Sequence, residues 1–310
     1  MRRLATIVAA LTVTGAATSV AAPAACAATR EFWVAAVPAP TWNMAPNERD
    51  AIHGMPLSPA QTVFPTVVYR RFTPHWGHPV RNIAAGTSNQ DLIPGPLLRA
   101  RAGDRLLVHF KNMDTLYKRP HSMHFHGVHY RPSSDGAFVP GVSGRDGDVK
   151  PGQTWTYRLT AGSDSAGVWP YHDNSPSMHE SIEGGMWGML SIRGRHEPLP
   201  DREFVVVFAP IGRFQGIDGR AFVGNTPVFT AFPGQLVQWD VMAMGSEHHT
   251  FHVHGHRWRE HGTPVDTKTV GPAESFRIRW REHDPGTWLY HCHVEQHMEA
   301  GMIGTYEVAR

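Results

Sequence analysis

Cysteine is almost missing from this chain. Cys26 and Cys292 are the only two cysteines in 310 residues. The first lies in a segment expected to be removed on export, so no internal disulfide framework can form. The thiol that remains is then buried and inert, reactive, or bound to a metal. Charge of one sign is missing too. Lys and Arg number 29 against 27 Asp and Glu, a formal net charge of +2. With no basic patch and no aromatic RNA-binding signature, nucleic acid is not the expected partner. Beyond the N-terminal segment there is no second apolar run long enough to span a membrane. No stretch sustains a helical period, which excludes a helical bundle.

The N-terminus has a recognisable order. Met1-Arg2-Arg3 precedes the apolar run from Leu4 to Ala22, and Ala25-Cys26-Ala27 follows. Basic, apolar and small residues in that sequence make a secretory signal peptide, assigned here to residues 1–28. Thr, Gly and Ser dilute the run, which argues against a membrane anchor. Pro23 argues against reading Cys26 as a lipidation site. Arg2-Arg3 leaves general and twin-arginine export both open. The expected location is secreted or extracytoplasmic.

The remaining chain reads as all-β. It carries 30 Gly and 25 Pro, and its apolar runs are short and rich in Val, Phe and Thr. Leu106–Phe110, Thr154–Leu159, Phe204–Phe208, Leu236–Val241 and Ser275–Trp280 are the expected strands. The chain is also written twice. Pro94–Phe110 resembles Asn225–Val241; HSMHFHG (121–127) matches HTFHVHG (249–255); GVWPYHD (167–173) matches GTWLYHC (286–292); GGMWG (184–188) resembles AGMIG (300–304). Four blocks in one order imply two homologous β-sandwich domains, 29–196 and 197–310, joined near Arg193–Arg202. Each is long enough to bury a core.

Histidine is the residue in excess. There are 21, bunched at 121–129, 172–179, 248–256 and 291–297. Residues two apart on a strand share a face. His124 and His126, His252 and His254, and His291 and His293 should therefore each point together. One such pair is weak evidence for a metal site. Three pairs at matching points of a duplication indicate one polynuclear site. Cys292 lies between His291 and His293 and faces the other way. With His297 and Met302 it reads C-x4-H-x4-M, and His249 lies upstream in the same half. Two imidazoles, a thiolate and a weak thioether are blue-copper ligands. Zinc is the rival, and the Met argues against it.

These motifs, His249 through Trp258 and Tyr290 through Met302, resemble the two C-terminal copper motifs of multicopper oxidases. With two domains the chain is most similar to the bacterial two-domain, or small, laccases. That resemblance implies two cupredoxin-like Greek-key β-sandwiches and a copper cofactor. It implies a type 1 copper on His249, Cys292, His297 and Met302, which takes single electrons from a phenolic, aromatic or metal-ion donor. It implies type 2 ligands His124 and His252, and type 3 ligands His126, His172, His254, His291 and His293. O2 would be reduced to water at that cluster. Each subunit would hold one type 1, one type 2 and a pair of type 3 coppers. The cluster would form between subunits of a homotrimer. Tyr130 matches a tyrosine that buffers an electron in the family, and Asp135 and Asp266 match outer carboxylates that serve proton supply.

Two departures stand out. Asp173 occupies the place of Cys292 in the first domain, near His121, His179 and Met186, so the first-domain type 1 site is expected to be an empty relic. Asn174 stands where His293 stands in the second half, which removes one expected type 3 ligand. An amide oxygen is a weak neutral ligand, so weak copper retention or slow oxygen reduction is expected, with His179 as a conceivable substitute. Two other functions stay open. One is a copper nitrite reductase, disfavoured because the Cys lies in the second domain. The other is an electron-transfer protein whose cluster no longer fills. Met242, Met244, Met186 and Met189 could hint at Cu(I) as donor, although methionines more often fill core gaps. The other histidines, His53, His75, His78, His109, His129, His196, His256, His261 and His283, read as surface or packing residues, with His256 a candidate support for the cluster.

Overall fold

A computed structural model describes residues 27–82 and 92–309. The expected signal segment, Cys26 included, lies outside the described residues except for its last two positions. Strands dominate. The α-helices are short: Pro59–Thr62, Met178–Glu183 and Glu295–Glu299. Among the described residues no helix is long and apolar enough to cross a membrane.

Four main sheets form, and none mixes strands from before Arg193 with strands from after Arg202. In the first half, Val63–Phe72, Thr29–Asn43, Arg105–Asn112, Thr154–Thr160 and His129–Tyr130 make one sheet. Leu98–Arg101, Trp187–Arg193, Gly167–His172 and His124–Phe125 make the other. The second half repeats the plan. Phe214–Ile217, Arg202–Ile211, Leu236–Ala243 and Ser275–Arg281 make one sheet, and Val228–Ala231, Ile303–Val308, Gly286–Cys292, His249–Val253 and Thr267–Val270 the other. The all-β, two-sandwich architecture expected from the sequence is the one adopted.

The period-two pattern explains the sandwiches. Along Arg105–Asn112 the side chains alternate out and in, burying Leu106, Val108 and Phe110. Those residues join Phe125, Tyr157 and Tyr171 in the first-half core. Phe204, Trp239, Phe251, Tyr290 and Tyr306 build the second. A third apolar cluster lies at the seam, where Trp42, Ile93 and Trp187 of the first half meet Val207, Phe222 and Met242 of the second. Truncating Trp187 there would cost about 3–5 kcal/mol, so the seam is as much a core as either sandwich.

Two glycines tie the motifs to the fold. Gly127 and Gly255 close the two H-x-x-H-x-H-G blocks with φ of +69° and +72°, a region disfavoured for other residues. A Cβ on Gly127 would fall 2.0 Å from Trp169, and one on Gly255 would fall 2.6 Å from Trp288. The glycine of one motif thus seats the tryptophan that opens the other, and this docks the two histidine-bearing segments of each half.

Candidate metal centres

Cys292 ends the strand Gly286–Cys292 and His249 begins the strand His249–Val253; the two strands are antiparallel neighbours. His297 comes back on the short helix Glu295–Glu299. These three elements converge. Cys292 Sγ lies 3.8 Å from His249 Nδ1 and 3.7 Å from His297 Nδ1, and the two Nδ1 atoms are 3.1 Å apart. Thr250 N–H donates to the sulfur at 3.3 Å. Cys292 and Met302 are fully buried in the second-half core. Burial raises the Cys292 thiol above its ordinary range, with backbone N–H groups pulling the other way. Burial and the neighbouring His297 and His248 push His249 down to about 3, so it is a neutral donor at neutral pH. A soft sulfur and two neutral imidazoles, arranged around one point, fit copper and suit a mononuclear centre.

The other histidines gather in two separate groups. His124, His126 and His172 lie within 4.8 Å of one another by their ligand atoms, and so do His252, His254 and His291. His126, His254 and His293 sit just past the strand ends, yet each stays with its i−2 neighbour. The ring centroids are 5.1 Å apart for His124 and His126, 5.2 Å for His252 and His254, and 5.5 Å for His291 and His293. His126 Nε2 and His172 Nε2 close to 3.2 Å, and His254 Nε2 and His291 Nε2 close to 3.1 Å. The duplication therefore extends to the atoms.

Main-chain carbonyls set the direction of these rings. Nδ1 of His124 faces Asp135 O at 2.6 Å, and Nδ1 of His252 faces Asp266 O at 2.7 Å. Nδ1 of His172 faces Asp173 O at 3.0 Å, and Nδ1 of His291 faces Cys292 O at 2.8 Å. A carbonyl only accepts, so Nδ1 carries a proton and Nε2 is the nitrogen left to face a metal. Burial and neighbouring histidines hold His126 and His291 down at about 4, and burial lowers His172 and His254 as well. Neutral imidazoles with free Nε2 atoms are prepared metal ligands.

Asp135 and Asp266 hold their histidines through backbone oxygens. The Asp135 carboxylate is 40% exposed and 3.5 Å from His124, and that of Asp266 accepts from Thr267. Tyr130 stands 6.2 Å from the His124 ring, its hydroxyl raised by burial and by Asp135. His256 lies beside the second-half cluster. It is buried, with Nδ1 on His254 O at 2.7 Å and Nε2 on Glu282 at 3.1 Å. Glu282 also accepts from Trp280, Tyr306 and two backbone N–H groups.

The first-half counterpart of the sulfur site is closed. His121 is held between Asp173, 3.0 Å from Nδ1, and Asp114, 3.2 Å from Nε2, all three buried. His179 does not replace Asn174: its side chain is 71% exposed and lies 3.4 Å from Glu183. Met186, Met189, Met242 and Met244 are all buried in the apolar clusters. Asn174 is half-buried, its N–H donating to Ser122 Oγ and its carbonyl accepting from Phe138 N–H.

Sequence reasoning missed Asp114, Glu282 and Glu247. Glu247, 46% exposed, lies 3.2 Å from His297 Nε2, on the outer edge of a sulfur-site ligand, and is braced by Gln215. Its only sequence signal is a position two residues before His249.

Comparisons with known proteins agree with this geometry. Multicopper oxidase family models match residues 79–197 and 200–310. Human "Ferroxidase HEPHL1" is 26% identical over 86% of this chain and 28% of its own length. The "Probable nitrite reductase-hydroxylamine oxidoreductase fusion protein" of Kuenenia stuttgartiensis is 30% identical over 70% of this chain and 27% of its own length. The chain thus spans little more than a quarter of these relatives. The crystal structure of a blue copper oxidase from Nitrosomonas europaea matches 90% of this chain and 86% of its own, with a TM-score of 0.67 and 22% identity. That is a likeness of fold and identifies both sandwiches as cupredoxin-like. The paired histidines, the Cys-His-His set and the two matched family models together make this chain a member of the multicopper oxidase family.

Proposed function

We propose that the chain is a laccase-like oxidase that collects single electrons near its surface and delivers them to O2. The observation that carries this reading is the placement of Cys292. Its sulfur meets His249 and His297, while its neighbours His291 and His293 join the ring cluster of His252 and His254. One covalent stretch therefore touches both candidate centres. His249, Cys292, His297 and Met302 would hold the type 1 copper. His124 and His252 would hold the type 2 copper, and His126, His172, His254, His291 and His293 the type 3 pair. Copper supplies one-electron exchange at the first centre and four-electron reduction of O2 to water at the second.

The protein's own groups prepare this chemistry. Backbone carbonyls fix the proton on Nδ1 and aim Nε2. The exposed carboxylates of Asp135 and Asp266 are suited to hold and pass on the protons that water formation consumes, and Tyr130 stands next to Asp135. Glu247 offers a partly exposed negative charge at the outer nitrogen of His297, which favours a cationic donor such as a metal ion; a phenol would use the same edge. Every ring contact among the cluster histidines stays within its own half of the chain. Each half is therefore incomplete alone, which supports closure of the cluster between copies, as in a cyclic homotrimer. The N-terminal segment supports an extracytoplasmic location.

Nitrite is the alternative acceptor, favoured by the name of the Kuenenia relative. The test is a copper count with optical and EPR spectra, mass in solution, and O2 uptake with a phenol and with a reduced metal ion. A trimer with blue and coupled copper signals that consumes O2 is expected. Nitric oxide from nitrite without O2 uptake would overturn the oxidase reading. A blue band with no coupled pair and no turnover would reduce the chain to an electron carrier.

A further inference from the structure

Two neighbouring parallel strands, Leu98–Arg101 and Trp187–Arg193, place Arg101 opposite Arg193 and Arg99 opposite Ser191. Residues two apart share a face, so these four form one group. Across the seam, Leu236–Ala243 and Ser275–Arg281 pair Asp240 with Arg277 and Gln238 with Arg279. The two faces meet. Arg277 donates to Ser191 Oγ at 2.6 Å and to Ile192 O at 3.2 Å, and Ser191 Oγ donates to Glu203 at 3.0 Å. Between them lies a cavity of about 410 Å³ lined by six arginines and by the carboxyl groups of Asp201 and Glu203.

The carboxylates nearby nearly match the arginines in number but are unevenly placed, and Asp201 accepts from the Leu236 N–H. Arg277 is matched by Asp240 and Glu197, and Arg279 by Glu197. Arg30 and Arg99 reach Asp104 and Glu203 through Nε, which leaves their terminal nitrogens for another acceptor. Arg101 and Arg193 donate only to the backbone carbonyls of Arg195 and Glu197. Among the described residues neither is paired with a carboxylate. Guanidinium stays charged at any working pH, and like charges directly opposite across a strand pair are destabilising. Two permanent cations in register, on the wall of a cavity with a hydrogen-bonded floor, call for an anion.

We propose that this cavity binds a small oxyanion of the phosphate class, held by Arg101 and Arg193 and bridging the two halves of the chain. Planar guanidinium forks match the oxygens of phosphate. The volume also leaves room for a small organic group, so the ligand is either free phosphate or a phosphate monoester. Because both halves line the cavity, a bound anion stabilises the seam by mass action.

The test is calorimetry and thermal melting on the copper-loaded full chain. The probes are inorganic phosphate and glycerol phosphate, with sodium chloride at matched ionic strength as the control. Saturable binding of one anion per chain is expected, with a rise in melting temperature beyond the chloride control. Tighter binding of glycerol phosphate assigns the ligand to the monoesters, and equal or weaker binding assigns it to free phosphate. Arg101→Gln and Arg193→Gln should each weaken binding about tenfold and leave copper content and O2 uptake unchanged. If either fails to fold, Arg101→Lys and Arg193→Lys keep the charge but lose the fork, and a loss of affinity is still expected. Effects no larger than those of chloride, or unchanged binding in these variants, would overturn the proposal.

Discussion

His121 Nδ1 lies 3.0 Å from Asp173 Oδ2, at the point in the first half that His249 and Cys292 occupy in the second. Asp173 is held further by Ser122 and Ser175, each through a backbone N–H and a hydroxyl. Asp114 closes the far side of the ring. The first-half site is therefore a buried ion triad with its hydrogen bonds made. It is a sealed structural cluster that leaves no opening for copper.

Restoring the sulfur alone should then fail. Asp173→Cys is expected to give no second blue absorption band, because Asp114 still holds His121 and His179 points to solvent. It should also destabilise the fold by about 3–5 kcal/mol, the cost of breaking a buried pair. Optical spectra and urea unfolding check both parts. A new blue band would show that the site had remained open.

The triad gives stability a defined pH range. Burial opposes the charge on His121, but Asp114 and Asp173 outweigh it and raise the ring from 6.5 to about 9. A raised pKa contributes fully below about 6.5 and is lost as pH climbs through about 9. Burial likewise opposes the charge on Asp114, yet His121 and backbone N–H groups hold it well below 3.8. That contribution is present above about 4 and fades as pH falls. Unfolding free energy should therefore decline from pH 6.5 to 9, with a shift of this size worth on the order of 3 kcal/mol. In Asp114→Asn, urea melts across that range should show a smaller decline.

Glu282 plays a similar part beside the cluster. Burial would raise it, but bonds from His256, Tyr306 and Trp280 lower it to about 2. Glu282→Gln removes the charge that His256 needs while keeping the shape. A loss of about 3 kcal/mol is expected, together with weaker copper retention, because His256 anchors the carbonyl of His254. Melting of the metal-free chain and copper content after dialysis separate the two effects.

What could be read from the sequence follows from distance along the chain. The histidine pairs and the Cys-His-Met spacing were legible because strand periodicity acts over two residues and the duplication marks each motif twice. The role of each glycine after H-x-H needed the fold, since only packing shows Trp169 and Trp288 filling that space. Glu247, Asp114 and Glu282 were invisible because no strand or helix period links them to their histidines: Asp114 lies 7 residues from His121, and Glu282 lies 26 from His256. The seam arginines form no basic run; they are scattered from Arg30 to Arg279 and converge only when two sheets face each other.

Glu247→Gln separates the classes of electron donor. The carboxylate at His297 Nε2 attracts a cation and does little for a neutral phenol. KM for a reduced metal ion should rise several-fold, about the scale of a partly exposed ion pair, while KM for a phenol should hardly change. Equal changes for both donors would mean that Glu247 acts only through the ring.

Asn174→His tests whether this position limits the filling of the proposed cluster. Its backbone is fixed at both ends, by Ser122 Oγ at 3.1 Å and by Phe138 N–H at 2.8 Å. A histidine placed there would start from an anchored position two residues beyond His172, as His293 does beyond His291. Its second-half counterparts keep both members of the pair in ring contact. On the laccase-like reading, Asn174→His should therefore add a third imidazole to a type 3 copper that would otherwise have two. Copper retention after dialysis should improve about tenfold or more, since even outer-sphere changes alter metal affinity on that scale. O2 uptake per chain should rise with it. If neither copper content nor O2 uptake increases, Asn174 is not a replaced ligand, and the cluster fills without that position.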